Sequence, residues 1–600
     1  MVGMLHYVHM DRSTWQGALR YRERSIATGS AVMSVSERIE PSRHDELCTG
    51  IYLHRRLRFA GSTFPFRSAI ANQDIPNGVN GFQRSTVDLL RALFFSSPQS
   101  RSLFYVDPTL LEESMALINY LNKPANRQCD IADIRKLWHD NAFEPDVWFE
   151  PAETISHLLS IRNARRSASP ITNVVHSISY HYLRTHVFLP ILTANVYPHD
   201  VIICSSQACR SAVSSVMDQI SDSLAKRLGG QLRFPGSLAV IPLPIDTDIF
   251  RPVSKREART RLGIALDSLV ILATGRLCRM SKADLAPLLI TIKTLRKQVH
   301  ESISIQIAGS DITGYGDVLL TLVRQLDLDD IVTIRTGLEQ EELLDLYNSA
   351  DIFVSMSDNV QESFGLTVIE AMACGIPQVV TDWDGYRDTV IEGETGFRIP
   401  TLWGECGPEL ALSGYFMGWE YDHTVLSKAV AFDHDRLLDR LKLLICNPDL
   451  RARMSIAARK RAVETYSYNA VRSQYSLLWH SQRDRAREAK IEQHDDYRET
   501  RYFETFKHYP TMWLNNDMSV SLSTQYNAPL RKIAFDHNRG YYELHILDQA
   551  IQESVIKIIM DKPRSVGWVV DQVKQKHECS QGYISRNILW LAKYGILRIY

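Results

Sequence analysis

Short apolar runs closed by small polar residues alternate with amphipathic stretches through most of this chain. TNVVHSIS (172–179) and DVIICSS (200–206) read as buried strands, and SLFYVDP (102–108) as a shorter one. NGVNGFQRSTVDLLRALFFSS (77–97) is a glycine-bearing loop that runs into an amphipathic helix. SLAVIPLPIDTDIF (237–250) holds another strand and then a turn rich in Pro and Asp, after which the alternation starts again. SLVILATGR (268–276), SISIQIAGSD (302–311), IVTIRTG (331–337) and ADIFVSMS (350–357) are strands. The helices ADLAPLLITIKTLRKQV (283–299), GDVLLTLVRQLDL (316–328) and EQEELLDLYNSA (339–350) separate or follow them. Two such blocks of about 200 residues predict an α/β protein with two parallel-sheet, Rossmann-like units facing each other. Ligands are expected where strand ends meet helix starts.

The flanks differ from these blocks. Residues 1–60 carry little periodicity and are expected to be an extension, which leaves 61–245 and 246–481 for the two units. The second closes with helical sequence at 434–481. QRDRAREAKIEQHDDYRETR (482–501) is charged and poor in apolar residues, the start of an exposed helix or linker that runs to 540. In 541–600 the segments IQESVIKIIM, SVGWVVDQVKQKH and SQGYISRNILWLAKYG read as three helices and ILRIY as a strand, a winged-helix-like pattern with Trp568, Val569 and Val570 expected in its core.

The stretch 362–377, ESFGLTVIEAMACGIP, raises a physical question. Leu366, Val368, Ile369, Ala371, Met372 and Ala373 leave its helix no polar face, and Gly375 and Pro377 follow as they do past a helix end. Yet Glu370 sits in the middle, where a carboxylate costs several kcal/mol, roughly, unless something bonds to it. Ser363, Phe364, Gly365 and Leu366 open the helix, where backbone N–H groups and the helix dipole favour an anion and glycine admits a close approach. Phosphates suit the N–H groups, and carboxylates accept from hydroxyls, so Glu362 and Glu370 suit two sugars. The ligand read from this arrangement is a sugar joined to a nucleoside through phosphates, with a ribose hydroxyl pair satisfying Glu370.

Composition narrows the setting. Lys+Arg 68 against Asp+Glu 69 gives a net charge of -1, which argues against a nucleic-acid partner. Nine cysteines without CxxC pairs fit reduced thiols in a cytoplasm, and Cys204 and Cys209 are too isolated to ligate a metal. The first residues, MVGMLHYVHMDRSTWQ, lack the apolar stretch of a secretory signal, and no run reaches about 18 apolar residues. No transmembrane segment is expected; peripheral membrane contact stays open.

ESFGLTVIEAMACGIPQVV resembles the Glu-x7-Glu signature of the retaining family-4 glycosyltransferases (glycosyl transferases group 1), which have the GT-B fold. TDWDGYRDTVIEGETGFRIP (381–400), VIPLPID (240–246), ATGRLCRMSKADL (273–285) and IAGSD (307–311) are similar to segments of that family in the same order. The resemblance covers about 61–485 and implies a first domain on the acceptor side and a second on the donor side. It implies that Arg276 and Lys282 bind the diphosphate, Glu362 the sugar and Glu370 the ribose. It also sets His176 near the donor sugar, with Gly78 and Gly81 in a loop near the phosphates. Both cations follow a strand end, so the residues themselves agree. Pro244 stands where the family has a glycine, Lys282 is one residue further from Gly275 than usual, and Asp384 occupies the place of a second glycine.

Each of these residues also has a plainer reading. The glutamates could be a helix cap and an ion pair, Arg276 and Lys282 surface charge, His176 a core histidine, and Gly78 and Gly81 turn glycines. Asp-Thr-Asp at 246–248 mimics a metal-binding motif but lies in the inter-domain turn, so it is read as structural and no metal or cofactor beyond the donor substrate is expected. The expectation is a cytoplasmic, metal-independent, retaining glycosyltransferase that uses a nucleotide-diphosphate sugar. Its acceptor, whether peptide, protein, glycolipid or small molecule, is not specified. Its tail is left among docking a peptide or protein, oligomerisation or capping, and nucleic acid. The alternative is a catalytically silent sugar-nucleotide sensor whose tail contacts DNA or a partner protein.

Overall fold

The computed structural model describes residues 48–53, 81–95, 101–106, 111–122, 130–134, 144–151 and 155–600, apart from short stretches within 408–420 and 491–500 and residues 525–527, 541–545 and 578. Most of the expected 1–60 extension, and Gly78, lie outside the described residues.

The first sheet has seven parallel strands: β1 (Cys48–Leu53), β2 (Arg101–Val106), β3 (Asp130–Asp133), β4 (Val147–Glu150), β5 (Ile171–Val175), β6 (Val201–Cys204) and β7 (Ser237–Val240), in the order β3-β2-β1-β4-β5-β6-β7. β1 corrects the sequence reading, because this central strand falls inside the expected extension. Its apolar pattern is short and broken by Gly50, where a Cβ would come within 2.6 Å of Pro145. The second sheet has six parallel strands: β8 (Leu269–Thr274), β9 (Ile303–Ala308), β10 (Val332–Arg335), β11 (Ile352–Ser355), β12 (Gln378–Thr381) and β13 (Gly396–Ile399), ordered β10-β9-β8-β11-β12-β13. In both, the order reverses beside the first strand, which opens a crevice at the carboxyl ends of the strands. The nearly unbroken Val, Ile and Leu content of β6 and β8 reflects burial on both faces. Two facing Rossmann-like domains of this kind are the GT-B arrangement that the resemblance implied.

The boundary expected at 481 does not mark the edge of the second domain. Helix Tyr468–Glu488 returns to the first one, where Val471, Tyr475 and Trp479 enter the core beside Phe94 and Phe149. Gln482, expected to open a solvated linker, is fully buried and bonds Thr172 Oγ1 at 2.8 Å and the His199 carbonyl at 2.9 Å. Between β13 and helix His434–Cys446 the chain makes an excursion: β14 (Thr401–Trp403) pairs antiparallel with β15 (Val430–Phe432), and helix Tyr421–Lys428 lies between them.

The tail is a separate hydrophobic unit. Helices Gln549–Ile558, Val566–Lys574 and Gln581–Lys593 pack on a small antiparallel sheet of β17 (Arg564–Ser565), β16 (Ser519–Leu522) and β18 (Leu597–Ile599). The central strand comes from ahead of 541, inside the expected connector. Val569 and Val570 are buried as expected, but Trp568 is 40% exposed with the Arg564 guanidinium 4.5 Å from its ring centroid. Among the described residues no helix is long and apolar enough to cross a membrane.

Candidate active site

Five strand ends supply the groups along the seam between the domains: β5 and β6 from the first sheet, β8, β11 and β12 from the second. Strand β8 ends in Gly275, with φ at 150°, and a Cβ on Gly309 would lie 1.6 Å from the Gly275 carbonyl oxygen. The turns after β8 and β9 thus pack backbone on backbone, and the chain leaves that contact at Arg276. The Nε atom of Arg276 is buried and has no hydrogen-bond partner among the described residues. Lys282 donates from Nζ to Glu362 Oε2 at 3.2 Å, with side-chain exposures of 28% and 14%, so the pair is only partly screened by water.

Ser363 is the point where the two domains lock. Its hydroxyl donates to the His176 carbonyl at 2.9 Å, and its carbonyl accepts from Ser206 Oγ at 2.8 Å and Ser205 Oγ at 3.3 Å. Phe364 is buried against Tyr466 and belongs to the core, so only its backbone faces the seam. Gly365 precedes helix Leu366–Ala373 in the left-handed region, with φ at 97°, and a Cβ there would sit 2.4 Å from the Tyr386 ring. Its glycine is required by backbone shape and by Tyr386, a reason that the sequence did not disclose.

Glu370 is buried as expected, but its partners are protein groups. The Tyr347 hydroxyl donates to Oε2 at 2.5 Å and is itself 2.8 Å from Thr274 Oγ1, while Arg84 of the first domain lies 3.2 Å from Oε1. A ribose is therefore not needed to make this carboxylate tolerable, and it would have to share or replace these contacts. Arg84 sits on helix Gly81–Leu90, so Gly81 serves as the start of the helix that carries it.

His176 follows β5 and is 8% exposed. Burial lowers its imidazole to about 4, against the opposing pull of the Pro151 carbonyl, so the ring is neutral at pH 7. Nε2 then donates to Pro151 O at 2.9 Å, and Nδ1 accepts from Ser85 Oγ at 3.3 Å. The ring is held by these contacts, and the residue meets the second domain through its carbonyl.

Sequence reasoning missed Arg84, Tyr347 and the full position of Asp384. Asp384 has φ at 43° and lies next to Gly385, whose Cβ would strike Phe364 Cα at 2.4 Å. Burial first, and then the Glu362 carboxylate, raise the Asp384 carboxyl to about 8. Only its departure from a glycine pattern could have drawn attention to it. Asp246 uses its Oδ1 to accept from Asp248 N at 3.0 Å and Ile249 N at 3.1 Å, which makes the Asp-Thr-Asp segment a self-capped turn. Among the described residues no cluster of three or more His, Cys, Asp or Glu side chains could hold a metal ion.

Residues 254–402, within the second domain, match the family model of Glycosyl transferases group 1. The chain is 32% identical over 235 residues to a D-inositol 3-phosphate glycosyltransferase of Kineococcus radiotolerans, covering 38% of this chain and 48% of that protein. It is 31% identical over 191 residues to the protein of the same name from Streptomyces bingchenggensis, covering 30% and 40%. The chain thus spans about half the length of these relatives or less. Among solved structures it is similar to a sucrose-phosphate synthase from Thermosynechococcus elongatus, with TM-score 0.45 and 15% identity over 73% of this chain and 99% of the other. It is also similar to Anabaena HepE in complex with UDP, with TM-score 0.47 and 16% identity over 72% of this chain and 100% of the other.

Proposed function

We propose that this chain is a retaining glycosyltransferase that moves a sugar from a nucleoside-diphosphate sugar to an acceptor hydroxyl, without an essential metal ion. The observation that carries the reading is Arg276: a guanidinium whose buried Nε lacks a partner, on the same strand-end edge as the Lys282–Glu362 pair and the start of helix Leu366–Ala373. A buried donor without a partner is costly, and an anionic ligand would satisfy it. Arg276 and Lys282 would hold the two phosphates, the first backbone N–H groups of the helix would add to them, and Glu362 would accept from sugar hydroxyls. Glu370 would take the ribose beside Arg84, and the neutral His176 would orient the loop that faces the sugar.

In this reading the bond between the sugar C1 and the diphosphate oxygen breaks with its electron pair leaving on the diphosphate. The acceptor oxygen forms the new bond to C1 on the same face and gives its proton to a departing phosphate oxygen. No protein nucleophile is required. Removing one preorganised donor from a developing oxyanion costs about 2.7–4 kcal/mol, which sets the scale for these cations. The charge that a divalent cation would supply is here assigned to Arg276 and Lys282, and Asp246 is already committed to its own turn.

Arg276→Ala and Lys282→Ala should each lower turnover about a hundredfold with an unchanged circular dichroism spectrum. Near-wild-type rates in both would sink the assignment. Excess chelator should leave most activity, and loss restored by magnesium or manganese would refute metal independence. A thermal-shift panel of uridine, guanosine, adenosine and thymidine diphosphate sugars finds the donor, because bound ligand raises stability by mass action. A nucleotide sugar that stabilises the chain but is never hydrolysed would favour a silent sensor instead.

A further inference from the structure

The match to the family model ends at residue 402, within the first strand of the β14–β15 excursion. Its helix, Tyr421–Lys428, is fixed to both domains. Lys428 forms an ion pair with Asp284 of the second domain. His423 lies against the first, its ring 4.9 Å from that of Tyr180 and its Nε2 3.4 Å from the Ser179 carbonyl. From below, Gln361, the neighbour of Glu362, donates to the Tyr180 hydroxyl at 2.6 Å with one end of its amide.

Three buried polar atoms around Tyr180 have no hydrogen-bond partner among the described residues: Ser179 Oγ, Gln361 Oε1 and His423 Nδ1. His423 is 0% exposed. Because a carbonyl can only accept, Nε2 donates to it, and Nδ1 is the ring nitrogen left without a partner among the described residues. Buried polar groups in folded proteins are nearly always bonded, so three orphans around one tyrosine mark a place that something else completes. None of the three side chains is a lysine or arginine, so the place lacks the fixed cation that a phosphate or carboxylate calls for. A hydroxyl both donates and accepts, so it satisfies the free end of the Gln361 amide whichever way round it lies. A seryl side chain brings one hydroxyl, and three orphaned groups call for several.

Resting on the proposed transferase reading, we propose that Ser179, Gln361 and His423 form a subsite for the hydroxyl face of a sugar ring or polyol brought by the acceptor. The acceptor is thereby assigned to the carbohydrates rather than to peptides, and the excursion helix acts as its roof. The residues that define the subsite come from three separate segments, and only Gln361 lies within the family match.

Saturation-transfer NMR on the full chain, with glucose, mannose, galactose, N-acetylglucosamine or myo-inositol as probes, tests this. The best-binding nucleoside diphosphate is included at saturation, and N-acetyl-Gly-Ser-Gly-amide is the peptide control. At least one sugar should bind the wild type with the nucleotide present, the peptide should not, and His423→Leu and Gln361→Leu should each weaken sugar binding tenfold or more. Each variant removes one hydrogen bond together with the orphaned atom, so both should melt within a few degrees of the wild type and keep their nucleotide response. Wild-type affinity in both variants, binding of the peptide alone, or no sugar binding at all would overturn the proposal, the last meaning that water completes these groups. Displacement of the sugar by the matching 2-fluoro nucleotide sugar, but not by the nucleoside diphosphate, would give the subsite to the donor and also overturn it. If no nucleotide stabilises the wild type, it is the transferase reading that falls.

Discussion

At the scale of single residues, Asp384 has the sharpest consequence. A carboxyl raised from the ordinary 3.8 to about 8 holds its proton in the folded chain over a range where the unfolded chain has lost it. Its contribution to stability is therefore whole below about 3.8, shrinks as pH rises, and is gone above about 8, where burial of the charge is fully felt. Asp384→Asn removes the titration and tolerates the left-handed backbone at φ 43°. Melting curves of variant and wild type should nearly coincide near pH 4 and diverge toward pH 8, the variant higher by several degrees, then run parallel. A constant difference across that range would mean that the carboxyl does not titrate there. Glu370 carries the opposite lesson: a buried carboxylate needs partners, and here Tyr347 and Arg84 provide them.

At the scale of elements, the start of helix Leu366–Ala373 depends on Gly365. A side chain there meets both an unfavourable φ of 97° and the Tyr386 ring 2.4 Å away. Gly365→Ala should destabilise the domain by about 2–4 kcal/mol, of which about 1–2 is backbone strain. Adding Tyr386→Leu should recover the steric part only, a coupling visible in a double-mutant cycle of urea midpoints. Strict additivity of the two changes would show that the ring is not what the new methyl meets. The same helix is tied to the hinge at its other end, where Arg459 donates to the carbonyls of Ala373 at 2.7 Å and Phe250 at 2.8 Å. A displaced helix start would therefore be strained against a fixed helix end.

At the scale of the whole molecule, the chain crosses the seam twice. It passes into the second domain through the 241–250 turn and returns on helix Tyr468–Glu488, whose Tyr468 hydroxyl donates to Asp88 at 2.7 Å. The return helix decides where the tail can be cut. A chain ending at 481 would lose Gln482 and leave Thr172 and two carbonyls without their buried partner. A chain ending at Lys490 keeps them. The longer truncation should fold, retain hydrolysis of the donor and melt within a few degrees of the full chain, whereas the shorter one should melt distinctly lower. Transfer to a carbohydrate acceptor should survive the longer cut, since Ser179, Gln361 and His423 all precede it. Loss of transfer with hydrolysis intact would return the acceptor to the tail.

Much of this molecule is legible in one dimension, because strands buried on both faces must be apolar runs, and parallel strands must be joined by helices. That places Arg276, His176 and Glu362 at carboxyl ends of strands, on the edge where a ligand sits, before any coordinates are known. The eight-residue step from Glu362 to Glu370 and the glycine between them are likewise local. What no local period encodes is which groups meet across the seam. β1 was hidden by a short pattern broken at a glycine, since its place depends on strands that flank it from far along the chain. Arg84 beside Glu370, Tyr180 between Gln361 and His423, and Trp479 in the first core all depend on two domains docking and a helix returning. Those contacts join residues roughly 180 to 390 positions apart, so they follow from closure of the fold, not from spacing along the chain.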